Sequence, residues 1–119
     1  MATLLIRNRR HGPPIGPLKA HSPLERVMPQ AVICAYARTP VGKHRGALSG
    51  FSATELGTLA VKELLQRAGI DPASGLVDQV YMGHVLQTGA GQAPARQVAV
   101  NAGLPVSTPC TTINKVCGS

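Results

Sequence analysis

The chain has 119 residues, of which 44% are apolar and 3% aromatic, and its formal net charge is +7. This length suffices for one small domain whose core rests on Val, Leu, Ile and Ala side chains. No apolar run reaches the ~18 residues that a membrane span requires, and the stretch at residues 1–6 is too short for a signal peptide. Three widely spaced cysteines favour a reducing compartment over a disulfide framework.

The positive charge is concentrated in residues 1–27, which hold five basic side chains, one acidic side chain and four prolines. Without a hydrophobic period, this segment is predicted to be a disordered basic leader. Its composition suits a transit peptide, although Pro13 and Pro14 would break an amphipathic helix. A basic arm for nucleic acid would need interleaved aromatic side chains, which the segment lacks. We favour a third interpretation, that the leader is not native, because Met28 is followed at once by a strand pattern.

Residues 28–119 are therefore expected to form the domain. Its location is expected to be cytoplasmic, or mitochondrial if the leader is a genuine transit peptide. The domain opens with the apolar run Ala31–Ala37, which is typical of a strand buried on both faces and is ended by Pro40. A glycine-rich basic loop follows at residues 41–51.

A capping-box pattern at Ser52 and Glu55 predicts the start of the first helix, because each side chain can accept a hydrogen bond from the backbone N–H of the other residue. Gly69 is expected to close this helix, because the following Asp-Pro pair prevents its continuation. The spacing predicts one apolar face, which comprises Leu56, Leu59, Ala60, Leu64 and Ala68.

The remaining elements alternate in type. The pattern predicts a second strand at Val77–Leu86, a second helix at Gln92–Ala102 and a third strand at Cys110–Asn114. The resulting order β-α-β-α-β is typical of an α/β domain with a parallel sheet and right-handed crossovers.

The candidate reactive residue is Cys117, which is followed by two small residues just after the third predicted strand. Backbone N–H groups at the start of a following helix would favour a thiolate at such a turn. Parallel sheets usually place chemistry beyond the carboxyl ends of their strands. Cys34 and Cys110 fall in predicted strands and are expected to be buried and inert. No C-x-x-C pair is present, so no zinc or other metal site is predicted.

The histidines are given no catalytic role. Two of them lie in the leader, one lies in the basic loop, and one lies in the second predicted strand, where a structural histidine is the commoner case. In chain order they are His11, His21, His44 and His84.

Three segments in register carry a family resemblance: A-V-I-x-A-x-A-R-T-P-V-G, G-H-V-L-Q-T-G-A-G-Q-A-P-A-R-Q and N-K-V-C-G-S. With them, the stretch from Met28 to Ser119 resembles the N-terminal part of a thiolase, ending just after the motif of the nucleophilic cysteine. It is most similar to the acetyl-CoA acetyltransferase (acetoacetyl-CoA thiolase) branch. The resemblance implies the first β-α-β-α-β part of a domain that is layered α/β/α/β/α when complete.

The resemblance also implies an enzyme in which Cys117 attacks an acyl-CoA thioester and holds the acyl group. Such an acyltransferase would condense two acetyl-CoA molecules to acetoacetyl-CoA, or run the reverse thiolysis. A longer-chain 3-ketoacyl-CoA thiolase of fatty-acid degradation is the alternative. Coenzyme A thioesters are then substrates, and no bound cofactor is expected.

The other catalytic groups of the family are histidines, an asparagine and a second cysteine, which lie downstream of the motif and are not in this sequence. The 119-residue chain alone is therefore expected to be inactive, and a non-catalytic truncated interaction module is the alternative of another class. A homodimer or homotetramer is implied for the full-length protein, without nucleic-acid or membrane partners. Gln87–Gln97 would lie near the dimer contact, or would be a simple turn between strand and helix.

Overall fold

The computed structural model describes residues 32–119, so the predictions for the leader lie outside the described residues. These residues form two helices and two strands, with 3₁₀ turns at Pro72–Ser74 and Val116–Gly118. In chain order the elements are α1 (Ala53–Arg67), β1 (Val80–Gly83), α2 (Pro94–Asn101) and β2 (Cys110–Ile113). None of the helices in this part of the chain is long and apolar enough to cross a membrane.

The strands β1 and β2 pair in parallel, and α2 connects them. Val80 lies opposite Cys110 and Gly83 lies opposite Ile113. A β-α-β unit of this kind confirms the predicted α/β class. The ladder is shorter than the predicted Val77–Leu86, because β2 offers only four residues to pair with and is preceded by Pro109. One further backbone hydrogen bond extends the β1–β2 ladder at each end.

The capping box at the start of α1 is confirmed. The backbone N–H of Glu55 donates to Ser52 Oγ at 3.2 Å, and the backbone N–H of Ser52 donates to Glu55 Oε2 at 2.7 Å. At the other end, Gly69 adopts a φ of 65°, which a glycine reaches without steric cost. The next residue, Ile70, donates its N–H to the Leu65 carbonyl at 3.0 Å. Local sequence signals therefore define both ends of α1.

The core forms where α1 and α2 pack on the sheet. Its buried side chains are Val61, Leu65, Val77, Val80, Val98, Ala99, Ala102 and Leu104. The close contact between the helices depends on Gly57, since a Cβ there would lie 2.9 Å from Val98 Cγ2. The core is thus aliphatic, as the composition predicted.

The buried face of α1 differs from the predicted one. The predicted residues Leu56, Ala60 and Ala68 are half-buried. Leu64 is buried as predicted, but Leu59 is 49% exposed. The buried positions in its stead are Val61 and Leu65 together with two threonines, Thr54 and Thr58. A threonine can take such a position because its hydroxyl is satisfied within the helix. Thr58 Oγ1 donates to the Thr54 carbonyl at 2.7 Å, which leaves the methyl group free to pack.

The prediction of a first strand at Ala31–Ala37 was wrong for the residues that the structure describes. Residues 32–37 form no strand; Val32 and Ile33 are 73% and 88% exposed, and only Ala37 is buried. A strand is stable only when a neighbour pairs its N–H and C=O groups. The described part of this segment has no such neighbour, and its one tertiary hydrogen bond is from Arg67 Nη1 to the Tyr36 carbonyl at 3.4 Å.

An apolar cleft of about 270 Å³ lies between α1, β1 and the segment after Ala37. Arg38 is the one charged residue among those lining it. The edge of β1 that lies along this cleft has no paired strand in residues 32–119. The predicted β-α-β-α-β order is therefore present in this structure as α-β-α-β.

The capping box makes the stability of the chain depend on pH. Hydrogen bonds from the backbone N–H and the hydroxyl of Ser52 lower the pKa of Glu55 below its ordinary value of 4.5. The stabilisation from the charged carboxylate is therefore complete above that value and is lost as pH falls through the lower folded-state pKa. We expect Glu55→Gln to be less stable than wild type at about pH 7 and to differ from it less at about pH 3. Urea unfolding followed by circular dichroism measures both differences, and an equal difference at the two pH values would contradict this assignment.

Candidate functional site

Cys117 lies in the 3₁₀ turn that follows β2, and it is exposed. Two backbone hydrogen bonds close the turn, from Gly118 N–H to the Lys115 carbonyl at 3.0 Å and from Ser119 N–H to the Val116 carbonyl at 3.2 Å. The thiol is thus presented just beyond the carboxyl end of a parallel strand, where the sequence predicted it.

The carboxyl end of β1 supports this turn. Gly83 packs against Ser119 so closely that a Cβ added to Gly83 would lie 2.6 Å from the Ser119 carbonyl carbon. The next residue, His84, donates its backbone N–H to the Ile113 carbonyl at 2.9 Å. Gly83 is therefore a glycine because the backbone of the cysteine turn needs the space.

The turn contains a strained residue that no sequence pattern predicts. Val116, which directly precedes Cys117, has a φ of 52°. This left-handed conformation is a real outlier for a β-branched side chain. The Asn114 side chain connects Val116 to Val85. Its Oδ1 accepts from the Val116 N–H at 3.1 Å, and its Nδ2 donates to the Val85 carbonyl at 3.2 Å.

The other two cysteines have different surroundings. Cys110 is half-buried in β2, and its Sγ donates to the Thr108 carbonyl at 3.2 Å, in line with an inert structural residue. Cys34 is exposed, so its prediction as a buried residue was wrong. The reason is the unpaired segment around it, which leaves its side chain in solvent. All three cysteines are free thiols.

The two histidines in residues 32–119 lie in different segments. His44 is exposed in the loop before α1, and His84 is half-buried at the end of β1, with no hydrogen-bond partner for its Nδ1 in the described structure. His11 and His21 lie outside the described residues. Within residues 32–119, no group of three or more His, Cys, Asp or Glu side chains is arranged to hold a metal ion.

The segment Gln87–Gln97 forms a turn and the first part of α2. Gln97 Nε2 donates to the carbonyls of Ala90 and Gln92, both at 2.8 Å, and so holds the turn against the helix. The start of α2 has no side-chain cap of its own. Instead, the Ala95 N–H donates to Thr112 Oγ1 of β2 at 3.1 Å. This bond fixes α2 relative to the strand that leads to Cys117.

Similarity to known proteins shows which family this site belongs to. The family described as "Thiolase, N-terminal domain" matches residues 31–119. The chain belongs to the thiolase family. The resemblance carried by the three sequence segments is thereby confirmed, and Cys117 lies within the matched region of a thiolase N-terminal domain.

Individual thiolases agree with the family match. The mitochondrial acetyl-CoA acetyltransferase A of Xenopus laevis is 55% identical over 95 residues, which are 80% of this chain and 22% of that protein. The mitochondrial acetyl-CoA acetyltransferase of Homo sapiens is 52% identical over 90 residues, which are 76% of this chain and 21% of that protein. The chain thus spans about a fifth of the length of these relatives.

The fold agrees as well. The crystal structure of the Acat5 thiolase from Ascaris suum in complex with coenzyme A superimposes with a TM-score of 0.69 and 36% sequence identity. The superposition covers 72% of this chain and 22% of the Ascaris chain. The α-β-α-β arrangement described above is therefore part of a thiolase N-terminal domain.

Proposed function

We propose that this chain supplies the nucleophile of a thiolase-type acyltransferase and that Cys117 is that nucleophile. The observation that carries the proposal is an exposed thiol just beyond the carboxyl end of β2, in a chain that is 55% identical to an acetyl-CoA acetyltransferase. A thiolate is a strong nucleophile, and its thioester keeps the acyl group reactive for a second transfer.

The proposed reaction has two steps. The Cys117 sulfur attacks the thioester carbonyl of acetyl-CoA, an S–C bond forms, and coenzyme A leaves as its thiolate and takes up a proton. A second acetyl-CoA, deprotonated beside its carbonyl, then attacks the acetyl-cysteine, which forms acetoacetyl-CoA and releases the Cys117 thiolate. The Cys117 backbone N–H would stabilise the oxyanion of each tetrahedral intermediate, and one such donor is typically worth about 3 kcal/mol.

The substrate class that we propose is acyl-CoA thioesters, with acetyl-CoA first. The names of the relatives support acetyl-CoA over the longer 3-ketoacyl-CoA chains of fatty-acid degradation. The Ascaris thiolase was solved in complex with coenzyme A, which supports coenzyme A thioesters as substrates. Comparing thiolysis of acetoacetyl-CoA with thiolysis of a longer 3-ketoacyl-CoA separates the two assignments.

We also propose that the 119-residue chain does not turn over alone. It spans about a fifth of its relatives, and the family resemblance implies that the histidines and second cysteine of the thiolase mechanism lie downstream of the Cys117 motif. The complete enzyme would be a homodimer or homotetramer, with Gln87–Gln97 near its dimer contact. A mitochondrial location is supported by the names of the relatives.

A chimera tests the proposed function. Residues 31–119 replace the matching segment of the Xenopus laevis acetyl-CoA acetyltransferase, and thiolysis of acetoacetyl-CoA is measured beside the parent enzyme and the 119-residue chain. We expect the chimera to retain activity within about tenfold of the parent, since the replaced segment is about half identical. We expect no turnover from the 119-residue chain. A folded chimera that binds coenzyme A but transfers no acyl group would contradict the proposal and support the interaction module.

A further inference from the structure

Asn114 connects the cysteine turn to the neighbouring strand through both ends of its amide. Its Oδ1 accepts from the Val116 N–H at 3.1 Å, and its Nδ2 donates to the Val85 carbonyl at 3.2 Å. Only this orientation of the amide satisfies both partners, because an N–H can donate only to the oxygen and a carbonyl can accept only from the nitrogen. One side chain therefore spans the carboxyl ends of β1 and β2 beside the thiol.

The residue that Asn114 holds is the strained one. Val116 has a φ of 52°, in a region that β-branched residues rarely adopt and that persists only when neighbouring contacts impose it. The turn has three other hydrogen bonds: the Ser119 N–H donates to the Val116 carbonyl at 3.2 Å, the Gly118 N–H to the Lys115 carbonyl at 3.0 Å, and the Lys115 N–H to Ser119 Oγ at 2.5 Å. None of these hydrogen bonds links the turn to β1, against which it only packs at Gly83.

We infer that Asn114 is a positioning residue for Cys117: its amide holds Val116 in the left-handed conformation and so fixes the direction in which the thiol leaves the turn. This inference rests on the proposed role of Cys117. Both hydrogen bonds of Asn114 lie at the surface, where water can replace them when they are lost. Their effect is therefore on the geometry of the turn more than on the stability of the fold, and a misplacement of about 1 Å can slow a reaction ~10²-fold.

The test uses the chimera. Asn114→Ala removes both hydrogen bonds, and we expect the rate of Cys117 acylation to fall about 10- to 100-fold, with the KM for acetyl-CoA within about threefold of wild type. We expect Asn114→Asp, which keeps an acceptor for the Val116 N–H, to retain more of the rate than Asn114→Ala. The matched control is Asn101→Ala at the exposed end of α2, which we expect to leave the rate unchanged.

A second substitution separates positioning from a general structural role. Glycine adopts a positive φ freely, so Val116→Gly removes the strain that Asn114 would hold. We therefore expect Asn114→Ala to cost at least about threefold less in the Val116→Gly background than in wild type. An equal cost in both backgrounds, or acylation of Asn114→Ala at the wild-type rate, would overturn the inference.

Three further outcomes are also decisive. If Asn114→Ala and Asn114→Asp both fail to fold, Asn114 is a structural residue and the inference is overturned. If acylation persists in Cys117→Ala, the proposed function fails. If acylation requires Cys117 but is indifferent to Asn114, only the positioning role fails.

Discussion

Cys117→Ala is expected to reduce acyl transfer by the chimera by at least about 10³-fold, because removing a covalent nucleophile leaves only binding and oxyanion stabilisation. Binding of coenzyme A is expected to be unchanged, since the substitution removes a single sulfur atom from an exposed position. Steady-state thiolysis measures the first effect, and equilibrium titration with coenzyme A measures the second.

The matched control for this substitution is Cys34→Ala. Cys34 is also a free, exposed thiol, but it lies in the segment before α1 and not in the turn after β2. We expect Cys34→Ala to keep wild-type activity. Equal losses from the two variants, or no loss from Cys117→Ala, would remove Cys117 from the mechanism.

Leu65→Ala is expected to give the largest loss of stability among single substitutions in α1. Leu65 is 1% exposed and belongs to the core cluster that joins α1 to α2 and the sheet. Truncating a buried leucine to alanine typically costs about 2–5 kcal/mol, which is a large part of the ~5–15 kcal/mol that stabilises a typical domain. Urea unfolding of the 119-residue chain, followed by circular dichroism, measures the loss.

Leu59→Ala is the control on the same helix. Leu59 is 49% exposed, and we expect its truncation to change the free energy of unfolding by no more than about 0.5 kcal/mol. Together the two variants measure which face of α1 is buried. If Leu59→Ala cost as much as Leu65→Ala, the face predicted from the sequence would be right and the packing described above would be wrong.

The features that the sequence predicted best depend on contacts within one turn of chain. The capping box joins Ser52 to Glu55, three residues apart, and Gly69 ends α1 through its own backbone conformation. The helix α2 and the strand β2 also lie where the sequence placed them, within two residues at each end. These elements need little knowledge of the rest of the fold.

The features that the sequence missed depend on distant partners. The apolar run at Ala31–Ala37 carries the composition of a strand, but composition does not say which strand edge would pair with it. The buried face of α1 differs from the predicted one because Thr58 takes a buried position, where its hydroxyl is satisfied by the helix backbone. Both errors concern packing between elements, which a hydrophobic period does not encode.

The same distinction between local and distant contacts applies to the site. The position of Cys117 after β2 follows from its motif, whereas the support of its turn does not. Asn114 bonds to Val85, which is 29 residues away in the chain, and Val116 takes a conformation that its residue type disfavours. A strained valine held by a distant contact can be recognised only from coordinates.

The most direct test of the central claim is to find the acyl group itself. The chimera is mixed with acetyl-CoA, quenched in acid to preserve thioesters, digested at low pH, and its cysteine peptides are weighed by mass spectrometry. We expect one added acetyl group on the peptide that contains Cys117 and none on those that contain Cys34 or Cys110. An active chimera whose Cys117 peptide stays unmodified while another cysteine carries the acetyl group would contradict the account.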